Sequence, residues 1–275
     1  MHPIIHKLSL ITTDLKNRGL SESVIRLGLK EYLQDIILFA IYNDQDLKNL
    51  IFYGGTCLRK LYQLNRFSED LDFESSKPID LKLAAAKVIH HFKEDKFSGV
   101  SVSVQKSKDT SRVIFKFPIL NTLGLSPLEE ERLHVKVEIN DQPTGKYSTE
   151  LVPYVKDHYS MLIKHYDLPT LMAGKMVACL TRVFEKGKTG VEIKGRDYYD
   201  LVWYLQKQVT PNIKKLKDAD KKYTLEKAWE LLDQKAELIS SRDLLVDLEP
   251  LFDNQVFIRD WCNNFHQIYK RLRGQ

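Results

Sequence analysis

The sequence predicts an α+β protein in which an N-terminal helical segment and a helical C-terminal region flank a mixed β-sheet core. Three observations carry this. Apolar residues recur at intervals of three and four up to about Asn43, short apolar runs between turn residues take over from Leu50, and helical spacing returns near Asp167 and holds nearly to Arg273. With 275 residues, 43% apolar and 29% charged, the chain can bury a core and has ordinary soluble proportions, which excludes a disordered or collagen-like protein. We place the domains at 1–165, the core with its N-terminal helices, and 166–275, a C-terminal helical domain.

In the first segment Val24, Ile25, Leu29, Leu33, Ile36, Ile37 and Ala40 form the helical stripe, with Ser21 as N-cap. The strand signals are Leu50–Tyr53, Leu71–Glu74, Val100–Val104, Val113–Phe117 and Leu133–Ile139. Helical stretches at Thr56–Gln63 and Leu81–Phe92 interrupt them. After the loop DQPTGKYS the reading passes directly to helix from about Asp167, where Pro169 suits a first helical turn. There is no internal repeat or low-complexity segment, and Lys214–Lys222 reads as a short charged connection.

The longest apolar run, Ile36–Tyr42, is far short of the roughly 20 residues that span a bilayer, and the N-terminus lacks a signal-peptide pattern, so a cytoplasmic protein is expected. Cys57, Cys179 and Cys262 are odd in number and widely spaced, which indicates neither a disulfide framework nor a zinc cluster. Lys plus Arg at 42 against Asp plus Glu at 37 leaves +5, which permits a nucleic-acid or nucleotide partner without demanding one.

Chemistry concentrates in Phe52–Glu74. A strand ending in Gly54-Gly55 and followed at once by a helix from near Thr56 brings bare backbone amides to the positive end of that helix, a turn that can hold phosphates. Downstream, Asp70 and Asp72 bracket Leu71, so strand alternation points both carboxylates to one face. Two hard oxygen donors on one face suit Mg²⁺, which is commonly held by one or two carboxylates with phosphates and water. Taken alone, a Gly-Gly turn is usually only a turn and an Asp-x-Asp usually a solvated strand edge. Further on, the helical neighbours of Lys175 are Leu171, Met172, Ala178 and Cys179, so its amine leaves an apolar face and requires an anion such as Asp197 or a phosphate. Asp197 and Asp200 lie three apart on one helix face.

GGTCLRKLY followed by RFSEDLDFE, then Lys175, Arg182 and RDYYDL (Arg196–Leu201), resembles in order and spacing the signature of the AbiEii/AbiGii-type nucleotidyltransferase toxins, a branch of the DNA polymerase beta nucleotidyltransferase superfamily. The resemblance runs from about Leu29 to Leu205, and no motif is recognised beyond Gln206. It implies a nucleotidyltransferase-type mixed sheet and a Mg²⁺-dependent enzyme that moves a nucleoside monophosphate from a triphosphate to a hydroxyl, with RNA such as the tRNA acceptor end as the acceptor. It also implies a type IV toxin-antitoxin or abortive-infection toxin with a separately encoded antitoxin. Carried over residue by residue, Asp70 and Asp72 hold metal, Gly54, Gly55, Thr56, Arg66 and Ser68 bind nucleotide, and Lys175 and Asp197 serve catalysis, with Lys175 steadying the triphosphate. A third metal carboxylate is usual in the superfamily. Glu138 is the candidate, on the polar face of Leu133–Ile139 with His134 and Lys136, although Glu departs from the usual Asp.

Other residues read more plainly. Arg66 either pairs phosphate or braces Asp70. His90-His91 is a helix-surface pair without a third ligand. Tyr198, Tyr199, Trp203 and Tyr204 can stack a base, but aromatics at helical spacing commonly serve as core. Two alternatives stand beside the RNA reading: transfer to a small molecule, as in aminoglycoside-modifying relatives, and a nucleotide-binding module without turnover.

Overall fold

The computed structural model describes residues 3–106, 111–140, 147–181 and 194–274. The chain divides into two compact units, Met1–Gln63 with Phe67–His165, and Leu64–Arg66 with Tyr166–Gln275.

The first unit opens with helices α1 (Pro3–Asn17) and α2 (Glu22–Tyr42), followed by β1 (Ile51–Tyr53), α3 (Gly54–Tyr62), β2 (Asp70–Glu74), α4 (Leu81–Glu94), β3 (Ser101–Lys106), β4 (Ser111–Phe117), β5 (Leu133–Asn140), β6 (Thr149–Lys156) and β7 (Tyr159–Tyr166). The strands form one mixed sheet in the order β3-β4-β5-β2-β1-β7-β6. β2 lies at its centre, antiparallel to β1 and parallel to β5, while β3, β4 and β5 run antiparallel in turn. Strict alternation gives the sheet its core face: Leu71, Phe73, Val113, Phe115, Phe117, Leu133, Val135, Val137 and Ile139 are all buried, and α2 and α4 pack near them. Of the helical stripe expected on α2, Val24, Ile25, Leu29, Leu33, Ile36 and Ile37 are buried and Ala40 is half-buried.

Several local expectations change. β6 and β7 lie where the sequence reading ran from loop straight to helix. β6 holds exposed Leu151 and Val155 and an internal Pro153, so it shows no clean alternation; proline is tolerated there because β6 is an edge strand. β7 does bury Tyr159, Met161, Ile163 and His165 at period two, but exposed Leu162 blurs the pattern. Ser21 occupies the N-cap position without capping; its hydroxyl bonds that of Ser23 at 2.9 Å.

α2 also carries a buried ion pair. Asp35 and Lys60 sit 2.6 Å apart with side chains only 2% exposed, Lys60 donates to the Glu31 carbonyl at 2.6 Å, and Tyr154 donates to Asp35 at 2.9 Å. Burial pushes Asp35 above the usual carboxylate value and Lys60 pulls it back only partly. Beside it, Gln34 Nε2 donates to the carbonyls of Ser68 and Glu69, both at 3.0 Å, tying the approach to β2 onto α2.

The second unit is helical: α5 (Leu168–Thr181), α6 (Gly195–Gln206), α7 (Ile213–Ala219), α8 (Leu225–Glu237), α9 (Ser241–Leu248), a 3₁₀ turn at Glu249–Leu251 and α10 (Gln255–Arg273). Asn212, Thr224, Ser240 and Asn254 cap α7 to α10 by accepting backbone N–H bonds. Asp247 does the same for α6, accepting from the Gly195 amide at 2.7 Å. Lys214–Lys222, expected as a connection, is mostly α7, which is anchored by fully buried Leu216. Its charge hid one apolar anchor per two turns. Among the described residues no helix is long and apolar enough to cross a membrane.

Lys60→Met leaves the Asp35 carboxylate buried without its cation and should cost about 3–5 kcal/mol in urea unfolding. The Asp35→Leu/Lys60→Met pair, with no charge left to desolvate, should recover most of that loss.

Candidate active site

The register of β1 on β2 sets Tyr53 opposite Asp72, so the next residue, Gly54, begins α3 directly beside that carboxylate. Gly54 has φ +81°, and a Cβ there would lie 2.2 Å from Asp72 Oδ2. No other residue fits both the backbone and the space. Asp70 and Asp72 share the half-exposed face of β2, while Leu71 and Phe73 are fully buried on the other. Thr56, a phosphate-cradle candidate, is fully buried and donates its hydroxyl to the Asp70 carbonyl, stitching α3 to β2. Gly55 and Ser68 stay half-buried at the same end of the strand pair. Burial, reinforced by the charge of Asp72, holds the Cys57 thiol well above its ordinary value, so it is not a nucleophile at neutral pH.

Across the same face, β5 places Lys136 opposite Asp70 and Glu138 opposite Asp72, and β4 places Arg112 opposite Glu138. Lys136 Nζ is 3.8 Å from Asp70 Oδ1, and Arg112 Nε donates to Glu138 Oε1 at 2.8 Å, with its NH2 group on the same oxygen. Glu138 is therefore adjacent to Asp72, with an oxygen held by Arg112. Two carboxylates from one strand, backed by the bare backbone of Gly54, fit a Mg²⁺ ion. Among the described residues no group of three His, Cys, Asp or Glu is gathered for a metal.

In the second unit the downstream motif residues meet. Lys175 Nζ lies 2.8 Å from Asp197 Oδ1 and 2.8 Å from Asp200 Oδ2. Asp200 also accepts both arms of Arg66, Nε at 2.6 Å and NH2 at 2.7 Å. Arg66, expected at phosphate or at Asp70, has this fork closed on Asp200 and is 3% exposed. The sequence signal for Asp200 was its place one helical turn after Asp197, toward the same neighbours. Two cations and two carboxylates make a buried, charge-balanced quartet. Burial alone would lower Lys175 and Arg66, yet the carboxylates hold both above their ordinary values; burial alone would raise Asp200, yet Arg66 and Lys175 hold it below. Arg182 lies outside the described residues. Tyr198, Tyr199 and Tyr204 are core, while Trp203 stays half-buried with Lys207 Nζ 5.9 Å from its ring centroid. His90 is exposed, whereas His91 packs on Phe39 at 5.1 Å.

The quartet's contribution has two pH limits. Asp200, depressed on folding, stabilises fully above the unfolded carboxylate value near ~4 and less as pH falls through its lower folded value. Lys175, raised on folding, stabilises fully below the unfolded value near ~10 and less as pH rises through its higher folded value. Asp200→Asn should remove about 3–5 kcal/mol at neutral pH in chemical unfolding. The deficit should shrink as the parent is acidified below about pH 4.

Comparison with known proteins gives a family. The model of the family described as nucleotidyl transferase AbiEii toxin, type IV TA system, matches residues 36–272, extending well past Gln206. Two crystal structures are similar over 93% of the chain at 19% identity and a TM-score of 0.49: a Helicobacter pylori protein provisionally described as a nucleotidyltransferase, 98% covered, and JHP933 from Helicobacter pylori, 96% covered. No curated protein matches. With the match spanning most of its length, this chain belongs to the AbiEii nucleotidyl transferase toxin family of type IV toxin-antitoxin systems.

Proposed function

We propose that the protein transfers a nucleoside monophosphate from a nucleoside triphosphate to a hydroxyl on RNA, such as the tRNA acceptor end, with loss of pyrophosphate and with Mg²⁺ held by Asp70 and Asp72. The observation that carries this is the closeness of Gly54 to Asp72, where a Cβ would fall 2.2 Å from Oδ2, which supports reading the Gly-Gly turn and the acidic strand as one site. When bound, the cation supplies charge neutralisation at the α-phosphate and a lower pKa for the attacking hydroxyl. The chain's own part is to hold two carboxylates in register on β2, and to offer the bare Gly54-Gly55 backbone at the start of α3 to the triphosphate, with Ser68 close in sequence to the acids. Thr56 supports that turn from below by its bond to the Asp70 carbonyl.

A polyanionic acceptor is supported by the net charge of +5 and by lysines on the acidic face. The register sets Lys116 opposite His134 and Lys136 opposite Asp70, so β4 and β5 bring two lysines to that face. In this reading Lys175 and Asp197 act as a pair in turnover, supported by the family signature and by their direct bond. An antitoxin encoded separately opposes the enzyme, and both work in the cytoplasm, where triphosphates and RNA are found.

The direct test incubates the protein with each labelled triphosphate and total tRNA, with and without Mg²⁺. Label in RNA that depends on Mg²⁺ is expected; label only in a low-molecular-weight hydroxyl compound would replace the RNA acceptor with a small one. Asp72→Asn should lower turnover at least ~100-fold, since a lost ligand forfeits several kcal/mol of transition-state stabilisation. Its melting temperature should hold or rise slightly, because repulsion with Asp70 is relieved. Turnover within a few-fold of the parent rules out the ligand role.

Lys175→Ala and Asp197→Ala should each impair triphosphate use severely, and the double variant should be scarcely worse than the worse single one, as coupled residues behave in a double-mutant cycle. Additive losses would give the two separate roles. Unchanged turnover in both single variants would make the quartet purely structural and favour a nucleotide-binding module.

A further inference from the structure

We propose that Arg112 is the resident counter-ion of Glu138, withholding that carboxylate from the metal, so that Asp70 and Asp72 alone ligate the cation and Arg112 sets how tightly it binds. The inference rests on the metal reading of Asp70 and Asp72 above. Its ground is the register: Arg112, Glu138 and Asp72 stand side by side on β4, β5 and β2, with Lys136 next to Asp70 in the adjacent row. Asp72 and Glu138 side by side, with Asp70 in the adjacent row, would repel one another in the absence of a divalent ion. Arg112 bonds Glu138 through both Nε and NH2, and Lys136 stands 3.8 Å from Asp70, so two protein cations occupy the charge balance that metal would otherwise supply alone. The two arms of Arg112 converge on a single oxygen, Oε1, rather than bridging the carboxylate, so the pair is not a full fork-to-fork lock.

The pair is only partly buried, with side chains 35% and 26% exposed. An ion pair of that exposure is weak enough for substitution to be tolerated by the fold. Arg112 is in this reading a positioning residue that works through the carboxylate it holds. Removing it frees Glu138 beside Asp72 and removes a positive charge from the site, and both changes favour a divalent ion. Removing Arg112 and Glu138 together deletes a neutral pair and leaves the two ligands as they were.

Mn²⁺ binding to the full-length protein, followed by electron paramagnetic resonance in the absence of nucleotide, tests this without any activity measurement. Arg112→Gln should tighten Mn²⁺ binding about threefold or more while lowering the melting temperature of the metal-free protein, because the carboxylates then repel unopposed. The Arg112→Gln/Glu138→Gln double variant should bind Mn²⁺ within about threefold of the parent. Arg112→Lys, which keeps the charge but loses the Nε contact, should fall between parent and Arg112→Gln and serves if the latter folds poorly. Binding in Arg112→Gln and Arg112→Lys that equals or falls below the parent's overturns the counter-ion role. A double variant weakened about tenfold or more makes Glu138 a native ligand and overturns it equally. If an Asp70→Asn/Asp72→Asn variant binds Mn²⁺ as well as the parent does, the metal reading itself fails, and the inference falls with it.

Discussion

Two carboxylates held side by side on one strand repel each other, and much of the first unit's design can be traced to keeping them there. β2 is central in the sheet, so its register is fixed from both sides. Leu71 and Phe73 are fully buried on the core face, where Phe73 stacks on Phe52 at 5.2 Å and lies 6.3 Å from Tyr42. A slip of one residue would carry both aspartates into that core and both apolar side chains out of it, at a cost no local rearrangement could offset. The charge left on the open face is met by neighbours the same register delivers: Lys136 beside Asp70, the start of α3 beside Asp72, and Arg112 beyond Glu138. Packing on one face thus enforces the electrostatics of the other.

The second unit solves a related problem in a different medium. Arg66, Lys175, Asp197 and Asp200 are almost wholly removed from water, and their charges cancel. In low dielectric such a set is stable only as a whole, because each member desolvated alone would be far more costly than any pairwise attraction could restore. On the sheet, by contrast, the Lys136–Asp70 and Arg112–Glu138 pairs are partly exposed and individually weak. The quartet is accordingly suited to fixing geometry. Lys175 keeps 12% of its side chain exposed, while Asp200, held by both cations, keeps none.

Much of this was legible in the sequence. Short apolar runs between turn residues located β1 to β5, and the alternation around Leu71 puts both aspartates on one face. The apolar neighbours of Lys175 demanded an anion, and Asp197 is there at 2.8 Å. What escaped was whatever depends on partners distant in sequence. Nothing in an apolar helix announces that Asp35 will be buried against Lys60 and Tyr154, because the helical period is equally consistent with a solvated acid. The sequence neighbours of Arg66, Ser68 and Asp70, point it to phosphate or to Asp70, whereas its partner Asp200 comes from a helix far along the chain. β6 was missed because an edge strand need not alternate, and α7 because a short capped helix needs only one buried leucine.

The spacing of the Gly-Gly turn and the acidic strand shows how such a pattern acquires meaning. Fifteen residues separate Gly54 from Asp70 in the chain, and nothing about that interval is chemical in itself. It becomes so because β1 and β2 pair antiparallel with Tyr53 against Asp72, and α3 and its connection are the length required to reverse the chain and return it in that register. The residue after Tyr53 must then pass within contact of the second aspartate, with positive φ and without a Cβ, which only glycine provides. Insert or delete one residue between the two halves and either the strand flips its carboxylates into the core or the glycine meets a different side chain. The pattern is therefore specific where its parts are not, since the register that joins them admits a single alignment of turn and acids.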